Sequence, residues 1–211
     1  MKILGFMGSP RVRGLNAQLI ASALKGAESR GAETKRYDLI KCNINYCTGC
    51  FKCIFENHVL PFGRCTLKDD MAGILEDYCQ ADGYILSSPV YDVGMTALMK
   101  TFIERKFPLF FKDKEDTITL PAARRPAHYL KKGAMFVTAN ARDEYREVMG
   151  TPTFESMEYD FMIEQVEIIE KFYVGGAHVM TEERLTRHLN DAYTIGARLV
   201  ESIEDAHSSQ S

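Results

Sequence analysis

Residues 3–16 read Ile-Leu-Gly-Phe-Met-Gly-Ser-Pro-Arg-Val-Arg-Gly-Leu-Asn. The apolar run from Ile3 to Met7 is short, uncharged and bounded by Gly8 and Pro10, which predicts a buried strand. A loop of small and basic residues follows it, and a helical apolar pattern begins directly after that loop. The free N–H groups of a first helical turn and the helix dipole both favour negative charge. A strand, a loop and a helix start in this order therefore predict an anion site.

The donors in this loop favour a single phosphate. Ser9 and Asn16 offer side-chain donors, and Arg11 offers a positive charge. A dinucleotide-binding loop would read Gly-x-Gly-x-x-Gly and a nucleoside-triphosphate loop would end in Gly-Lys-Ser/Thr, and the stretch has neither pattern. The alternative is an ordinary strand–turn–helix connection without a ligand, because turns use Gly, Pro and Ser freely.

The composition is that of an ordinary globular protein. The 211 residues are 45% hydrophobic and 26% charged, with a formal net charge of −3, which suits one α/β domain with a sizeable core. The negative charge argues against non-specific nucleic-acid binding, which needs a basic surface. No apolar run is long enough to span a bilayer, and the N-terminus runs straight into a strand without a signal-peptide pattern. We therefore expect a cytoplasmic protein with neither a membrane nor a nucleic-acid partner.

Apolar periodicity predicts strands that alternate with helices. The predicted strands lie at 3–7, 33–39, 83–88, 134–139 and 172–174, and the predicted helices at 15–30, 69–79, 95–105, 156–170 and 182–203. This alternation implies βαβ units and a parallel sheet. Because ligands of open parallel sheets bind beyond the carboxyl ends of the strands, the loops at 8–16, 88–94 and 138–143 predict one shared site.

The chain is predicted to form a single domain over residues 1–205. Within it we expect a cysteine-rich loop at 42–66 and a long irregular segment at 106–132, followed by a disordered tail at 206–211. The irregular segment is long for a structureless loop, so we expect it to form a lid, an interface or an elaboration beside the site. Arg124 and Arg125 in this segment would either meet a nicotinamide phosphate or belong to a solvated basic loop.

Four motifs stand in a characteristic order. They are Gly8-Ser9-Pro10-Arg11 with Gly14 and Asn16, then Cys47-Thr48-Gly49-Cys50-Phe51-Lys52-Cys53, then Asp69-Asp70-Met71, and then Ser88-Pro89-Val90-Tyr91. The set resembles the NADPH-dependent FMN reductases of flavodoxin-like fold, and within that group the iron–sulfur flavoproteins. The resemblance covers residues 1–105 well and the remainder in outline. It implies an α/β three-layer sandwich with helices on both faces of a five-stranded parallel sheet of order 2-1-3-4-5.

The resemblance also implies that FMN is the cofactor and that three loops bind it. The first loop would hold the phosphate, the second would line the isoalloxazine ring, and the third would close the other side of the flavin. In order, the residues are Ser9, Arg11, Arg13, Gly14, Leu15, Asn16 and Ala17, then Pro89, Val90, Tyr91, Asp92, Val93 and Gly94, and then Thr138, Ala139 and Asn140. Many relatives place Thr or Ser at the position of Ala17, so one hydroxyl contact is lost. The alternatives are that Tyr91 is a partly buried loop aromatic and Asn140 a turn former.

The cysteines point to metal or redox chemistry, because clustered thiols in a reducing cytosol rarely form structural disulfides. Cys47, Cys50 and Cys53 stand at two-residue spacings, and Cys65 follows after eleven residues. Three thiolates at this spacing, with a fourth from further along, suit a [4Fe–4S] cluster. The longer final gap is tolerable, since closing a longer flexible loop costs only slightly more. Zinc held by the same four residues and free thiols beside the flavin are the alternatives.

These features together predict an FMN oxidoreductase of the flavin or quinone reductase type, assembled as a homodimer or homotetramer. Electrons would enter from NAD(P)H or a small electron carrier and leave to a small-molecule or protein acceptor, through a [4Fe–4S] cluster where one is bound. No catalytic side-chain acid or base is expected, because the flavin carries the chemistry. The alternatives are an electron-transfer or redox-sensing flavoprotein without its own substrate and a zinc-binding flavodoxin-like protein.

Overall fold

The computed structural model describes residues 1–55, 60–115, 118–125 and 131–208. Its main sheet has five strands: β1 (Lys2–Met7), β2 (Glu33–Asp38), β3 (Gly83–Pro89), β4 (Lys131–Thr138) and β5 (Val166–Val174). All neighbouring strands are parallel, in the order β2-β1-β3-β4-β5. This order is the predicted one, and it confirms the flavodoxin-like fold.

Helices cover both faces of the sheet. They are α1 (Leu15–Glu28), α2 (Met71–Gln80), α3 (Ala97–Glu104), α4 (Thr151–Ile163) and α5 (Glu182–Ser208). Because alternate residues of a strand point to opposite faces, the side chains of β1 pack in two separate apolar clusters. Leu4 and Phe6 pack in the cluster that contains α2, α3 and α4, whereas Ile3 and Met7 pack with α1 and α5. The result is the predicted three-layer sandwich.

Helices α1 and α5 approach each other closely through two glycines. A Cβ atom on Gly26 would lie 1.9 Å from the backbone oxygen of Tyr193, and one on Gly196 would lie 1.8 Å from the backbone oxygen of Ala23. Any side chain at either position would push the helices apart. The contact therefore requires glycine on both helices.

The prediction for the segment before β5 was wrong. A helix was predicted to reach residue 170, but α4 ends at Ile163 and β5 begins at Val166. Between them Gln165 adopts a left-handed backbone with φ of 58°, which turns the chain back along β4. Lys131 then pairs with Val166 at the start of the ladder. Pairing with β4 thus overrides the helical pattern of residues 166–170.

The segment at 106–132 is more ordered than predicted. A short 3₁₀ turn at Phe107–Leu109 leads into a two-stranded antiparallel sheet of Phe110–Phe111 and Ala122–Ala123, and residues 131–132 already belong to β4. Residues 116–117 and 126–130 of this segment, and residues 56–59 of the predicted cysteine-rich loop, lie outside the described residues.

Helix α5 continues to Ser208, so the first three residues of the predicted tail are helical, and 209–211 lie outside the described part of the chain. Among the helices of the described residues, none combines the length and the apolar character needed to cross a membrane.

Candidate functional site

A cleft of about 620 Å³ lies at the carboxyl ends of β1, β3 and β4. The loops after these three strands, which the sequence predicted to share a site, all contribute to its wall. The predicted residues that line it are Ser9, Arg11, Gly14, Leu15, Asn16, Pro89, Val90, Tyr91, Asp92, Val93, Thr138, Ala139 and Asn140. The topology of the sheet therefore assembles one cavity from segments that are far apart in sequence.

Three of the predicted residues lie beside the cleft rather than in its wall. Arg13 is exposed, and Ala17 is buried in the first turn of α1. Gly94 closes the second loop through backbone hydrogen bonds to Tyr91. The lining also includes Ala141, which lies in the predicted loop 138–143 but was not named, and Met149, Ala177 and His178, which sequence reasoning missed. Ala177 and His178 follow β5. Ligands of parallel sheets bind beyond the carboxyl ends of the strands, and applying this rule to the fifth strand would have predicted both residues.

The first loop presents the amino end of α1 to this cleft. Gly14 precedes the helix with an extended backbone (φ −73°, ψ −177°), and it has no side chain with which to cap the N–H groups of the first turn. The Gly14 N–H donates to the Arg11 oxygen at 2.9 Å, and the Arg11 N–H donates to Ser9 Oγ at 3.2 Å. These bonds fold the loop so that helix N–H groups and the Arg11 side chain border one space. The arrangement suits an anion.

The side chain of Asn16 is buried and hydrogen-bonded within the protein. Its amide nitrogen donates to Ser87 Oγ at 3.0 Å, and its oxygen accepts from Thr138 Oγ1 at 2.7 Å. Asn16 is 3% exposed. In the structure these bonds join α1 to the ends of β3 and β4, and Asn16 is also part of the cleft wall, so the predicted phosphate contact of this residue stays a prediction.

The second loop is a tight turn with an unusual backbone. Tyr91 and Gly94 exchange N–H···O bonds of 2.8 and 3.1 Å, and between them Asp92 and Val93 adopt φ angles of 49° and 61°. A left-handed conformation strains a β-branched residue such as Val93, and strain of this kind gathers at functional sites. The turn leaves Tyr91 and Val93 about half exposed at the cleft.

A buried threonine fixes the second loop against the first. Thr96 Oγ1 donates to the Gly8 oxygen at 2.6 Å and accepts from the Met99 N–H at 3.2 Å, which caps α3. The Thr96 N–H in turn donates to Ser88 Oγ at 3.1 Å. Neighbouring loops at the carboxyl edge are thus held by hydrogen bonds that are independent of any ligand.

The four predicted metal ligands occupy one region with graded exposure. Cys47 and Cys50 are exposed, Cys65 is half-buried and Cys53 is buried. Burial raises the pKa of the Cys53 thiol to about 11, and the neighbouring Cys65, Cys50 and Cys47 thiols act in the same direction. The other three cysteines therefore lie close enough to Cys53 to raise its pKa.

The cysteine side chains as placed do not form a closed metal site. Among the described residues, no three His, Cys, Asp or Glu side chains form a group that would hold a metal ion. The predicted ligands therefore do not form a ready-made site for a single metal ion.

Arg105 provides a cationic partner for one of these cysteines, Cys65. It is 2% exposed, and its Nη2 donates to Cys65 Sγ at 3.6 Å. Its Nη1 donates to Asp69 Oδ2 at 2.6 Å and to the Asn45 oxygen at 2.7 Å, while its buried Nε has no hydrogen-bond partner among the residues that the structure describes. Burial alone would raise the pKa of Asp69, but bonds from Arg105 and Asn45 hold that pKa well below its usual range. Four neighbouring thiols, one of them in contact with a buried cation that has a spare donor, fit the chemistry of a [4Fe–4S] cluster, which carries net negative charge with four thiolates.

Arg124 and Arg125 both bond to the backbone of the protein. Arg124 Nη2 donates to the Cys53 oxygen at 2.9 Å, and its Nε donates to the oxygens of Pro108 and Phe110 at 3.0 Å each. Arg125 Nη2 donates to the Glu164 oxygen. Neither arginine lines the cleft, and the bonds that the structure shows for them hold the backbone of this segment.

Comparison with known proteins places these features in a family. The family model described as NADPH-dependent FMN reductase matches residues 1–159. An iron-sulfur flavoprotein of Archaeoglobus fulgidus is 30% identical over 207 residues, which are 98% of this chain and 82% of that protein. An iron-sulfur flavoprotein of Methanocaldococcus jannaschii is 38% identical over 109 residues, which are 52% of this chain and 53% of that protein.

Solved structures share the fold. An NAD(P)H:quinone oxidoreductase from Methanothermobacter marburgensis superposes with a TM-score of 0.69 at 16% identity, covering 94% of this chain and 98% of that one. A flavone reductase superposes with a TM-score of 0.65 at 23% identity, covering 98% of this chain and 64% of that one. At these identities the similarity establishes the architecture alone.

Proposed function

Because the chain belongs to the NADPH-dependent FMN reductase family, we propose that the cleft at the carboxyl edge binds FMN and that electrons pass through it. The family and the relatives make the protein a flavin-dependent oxidoreductase. The observation that carries the proposal is the convergence of three loops on one cleft, with an uncapped helix start at one end and a strained turn at the other.

Each loop has its own part in holding the cofactor. The N–H groups of the first turn of α1 and the Arg11 guanidinium bind the phosphate, because both are donors that favour negative charge. The turn at 89–94 and residues 138–140 border the ring, with Tyr91 as its aromatic contact. Bound FMN supplies hydride and electron transfer, and the protein supplies position and electrostatics.

NAD(P)H is the proposed electron donor, with a small-molecule or protein acceptor. The description of the family, which names NADPH, supports this choice. The test is anaerobic mixing of the FMN-loaded protein with NADPH and with NADH, followed by flavin absorbance. Rapid bleaching by either nucleotide is the expected result. Purified protein that neither contains nor takes up flavin would overturn the proposal.

Cys47, Cys50, Cys53 and Cys65 are the proposed ligands of a [4Fe–4S] cluster. Support comes from the set of four thiol donors, from the contact of Cys65 with the buried Arg105, and from the two similar proteins named iron-sulfur flavoproteins. Iron, zinc and acid-labile sulfide are to be measured in protein purified without oxygen. Iron and sulfide in equal amounts, near four per chain, are expected for this cluster. Zinc without sulfide, or neither metal, would contradict it.

A second candidate function is electron transfer or redox sensing without a substrate of the protein's own. It is favoured by the exposure of Cys47 and Cys50, which would bring redox chemistry to the surface within reach of another protein. The same anaerobic experiment separates the two functions. Bleaching by reduced ferredoxin or dithionite, but by neither nicotinamide nucleotide, would favour this candidate.

The protein is also proposed to assemble as a homodimer or homotetramer. Several exposed apolar side chains lie in the cleft wall or close in sequence to residues that line it. They are Tyr91, Val93, Tyr145, Val148 and Val179, each 45–59% exposed. Exposed apolar side chains at a site favour burial against another copy. Light scattering at several protein concentrations is the measurement, and a monomer throughout would contradict this assembly.

A further inference from the structure

Arg105 is among the largest buried side chains in the described residues and lies outside the cleft. It follows directly after α3. A guanidinium is buried only where its charge and donors are paired. The partners of the Arg105 guanidinium therefore indicate its role.

Those partners lie on both sides of the segment from Cys47 to Cys65, which we call the cysteine segment. Asn45 lies two residues before Cys47 and supplies its backbone oxygen, and Asp69 lies four residues after Cys65 and supplies both carboxylate oxygens. Asp69 also accepts from the backbone and side-chain nitrogens of Asn45, at 2.9 and 3.1 Å. Arg105 and Asp69 thus join the residues just before the cysteine segment to the residues just after it.

The remaining donors of the guanidinium point to sulfur chemistry. Nη2 reaches Cys65 Sγ at 3.6 Å, and Nε is buried without an acceptor among the described residues. An ion pair with Asp69 alone would need only two of these nitrogens. A purely structural role therefore leaves the sulfur contact and the spare donor without an explanation.

We propose that Arg105 is the positioning residue of the cysteine ligand set, fixing Cys65 against the two flanks of the segment and stabilising negative charge on its sulfur. The inference rests on the proposed cluster. Hydrogen bonds to the sulfur atoms of an iron–sulfur cluster help set its reduction potential. Because such donors stabilise the more negative, reduced state, Arg105 raises the potential.

The test compares Arg105→Lys with Arg64→Lys. Lysine keeps the charge but loses the planar fork, so it cannot contact Asn45, Asp69 and Cys65 together. Arg64 is the matched control, because it is adjacent to Cys65 in sequence but exposed. The measurements are iron, sulfide and FMN per chain and the midpoint potential of the cluster, from an anaerobic titration followed by electron paramagnetic resonance. We expect Arg105→Lys to lose iron and to shift the potential of its remaining cluster to more negative values, with wild-type FMN content, and Arg64→Lys to match the wild type.

A second measurement needs no substitution at Arg105 and covers the case in which that variant does not fold. Wild-type protein carrying ¹⁵N in its arginine side chains is expected to show nitrogen hyperfine coupling to the reduced cluster. That coupling should persist in Arg64→Lys. A cluster without this coupling, or an Arg105→Lys variant with wild-type iron content and potential, would overturn the role of Arg105 and leave the cluster standing. Wild-type protein that contains flavin but binds no iron would overturn both.

Discussion

The side-chain oxygen of Asn16 accepts a 2.7 Å hydrogen bond from the hydroxyl of Thr138. The two residues are 122 positions apart, and the amide of Asn16 also donates to Ser87. One buried side chain thereby ties the start of α1 to the ends of β3 and β4. The shape of the cleft is set by this link before any ligand arrives.

We expect Asn16→Ala to lower the free energy of unfolding by about 2 kcal/mol, since it leaves the buried hydroxyls of Ser87 and Thr138 without this partner. Urea unfolding of the flavin-free protein measures the effect. Asn140→Ala is the control, because Asn140 lines the same cleft but is exposed, and its stability should stay within about 0.5 kcal/mol of wild type. Equal losses in the two variants would contradict the linking role.

Arg11→Ala is expected to weaken FMN binding about ten- to a hundredfold, since a hydrogen bond between charged groups is worth about 1.5–3 kcal/mol. Arg13→Ala should have little effect, because Arg13 carries the same charge in the same loop but lies outside the cleft wall. Flavin fluorescence during titration of the flavin-free variants gives both dissociation constants. Similar values for the two variants would rule out a specific contact from Arg11.

The architecture was predictable from the sequence because it depends on local patterns and one topological rule. The strand from Ile3 to Met7 and the helix after Gly14 follow from periodicity and turn residues. The meeting of three loops follows from the carboxyl-edge rule for parallel sheets. These signals require no knowledge of which side chains touch.

The inward turn of Asn16 and the burial of Arg105 were not predictable in the same way. Their partners lie 36 to 122 residues away, and no local pattern reports such distances. An arginine after an amphipathic helix resembles an exposed charge. Similarly, Glu167 and Glu170 are compatible with a helix as well as with a strand. Pairing with β4 is what makes this segment a strand.

Gly196→Ala should destabilise the protein by about 3 kcal/mol or more, because its Cβ would meet the Ala23 oxygen at 1.8 Å and overpacking of this kind forces the backbone to move. Gly73→Ala is the matched substitution in α2, where a Cβ meets no described atom within 4 Å. It should stabilise by about 0.5–1 kcal/mol, the helix preference of Ala over Gly. Thermal unfolding of both variants is the measurement, and a tolerated Gly196→Ala would disprove the close helix contact.

Lys131 should make stability rise with pH in the alkaline range. Burial, together with the charge of Arg125, lowers the pKa of Lys131 from 10.5 to about 8. Between these values the unfolded chain keeps the proton and the folded chain has lost it, so the folded state gains stability as the pH rises.

The gain over this interval is about 3 kcal/mol for a shift of this size. Lys131→Met removes the titrating group, so the difference in unfolding free energy between wild type and variant should grow in favour of wild type from pH 8 to pH 10.5. Urea unfolding across that interval measures it. A difference that stays constant with pH would show that Lys131 titrates normally.

Arg124 connects two stretches that an alignment would treat as separate. It donates to backbone oxygens of Cys53 and of Pro108 and Phe110, and Gly63 adds a 2.7 Å bond to the Pro108 oxygen. An insertion or deletion within 106–125 would therefore displace Cys53 as well. We therefore expect the two stretches to change together as related sequences diverge. A chimera of related chains should keep the proposed metal binding by its cysteines only when residues 42–66 and 106–125 come from the same parent.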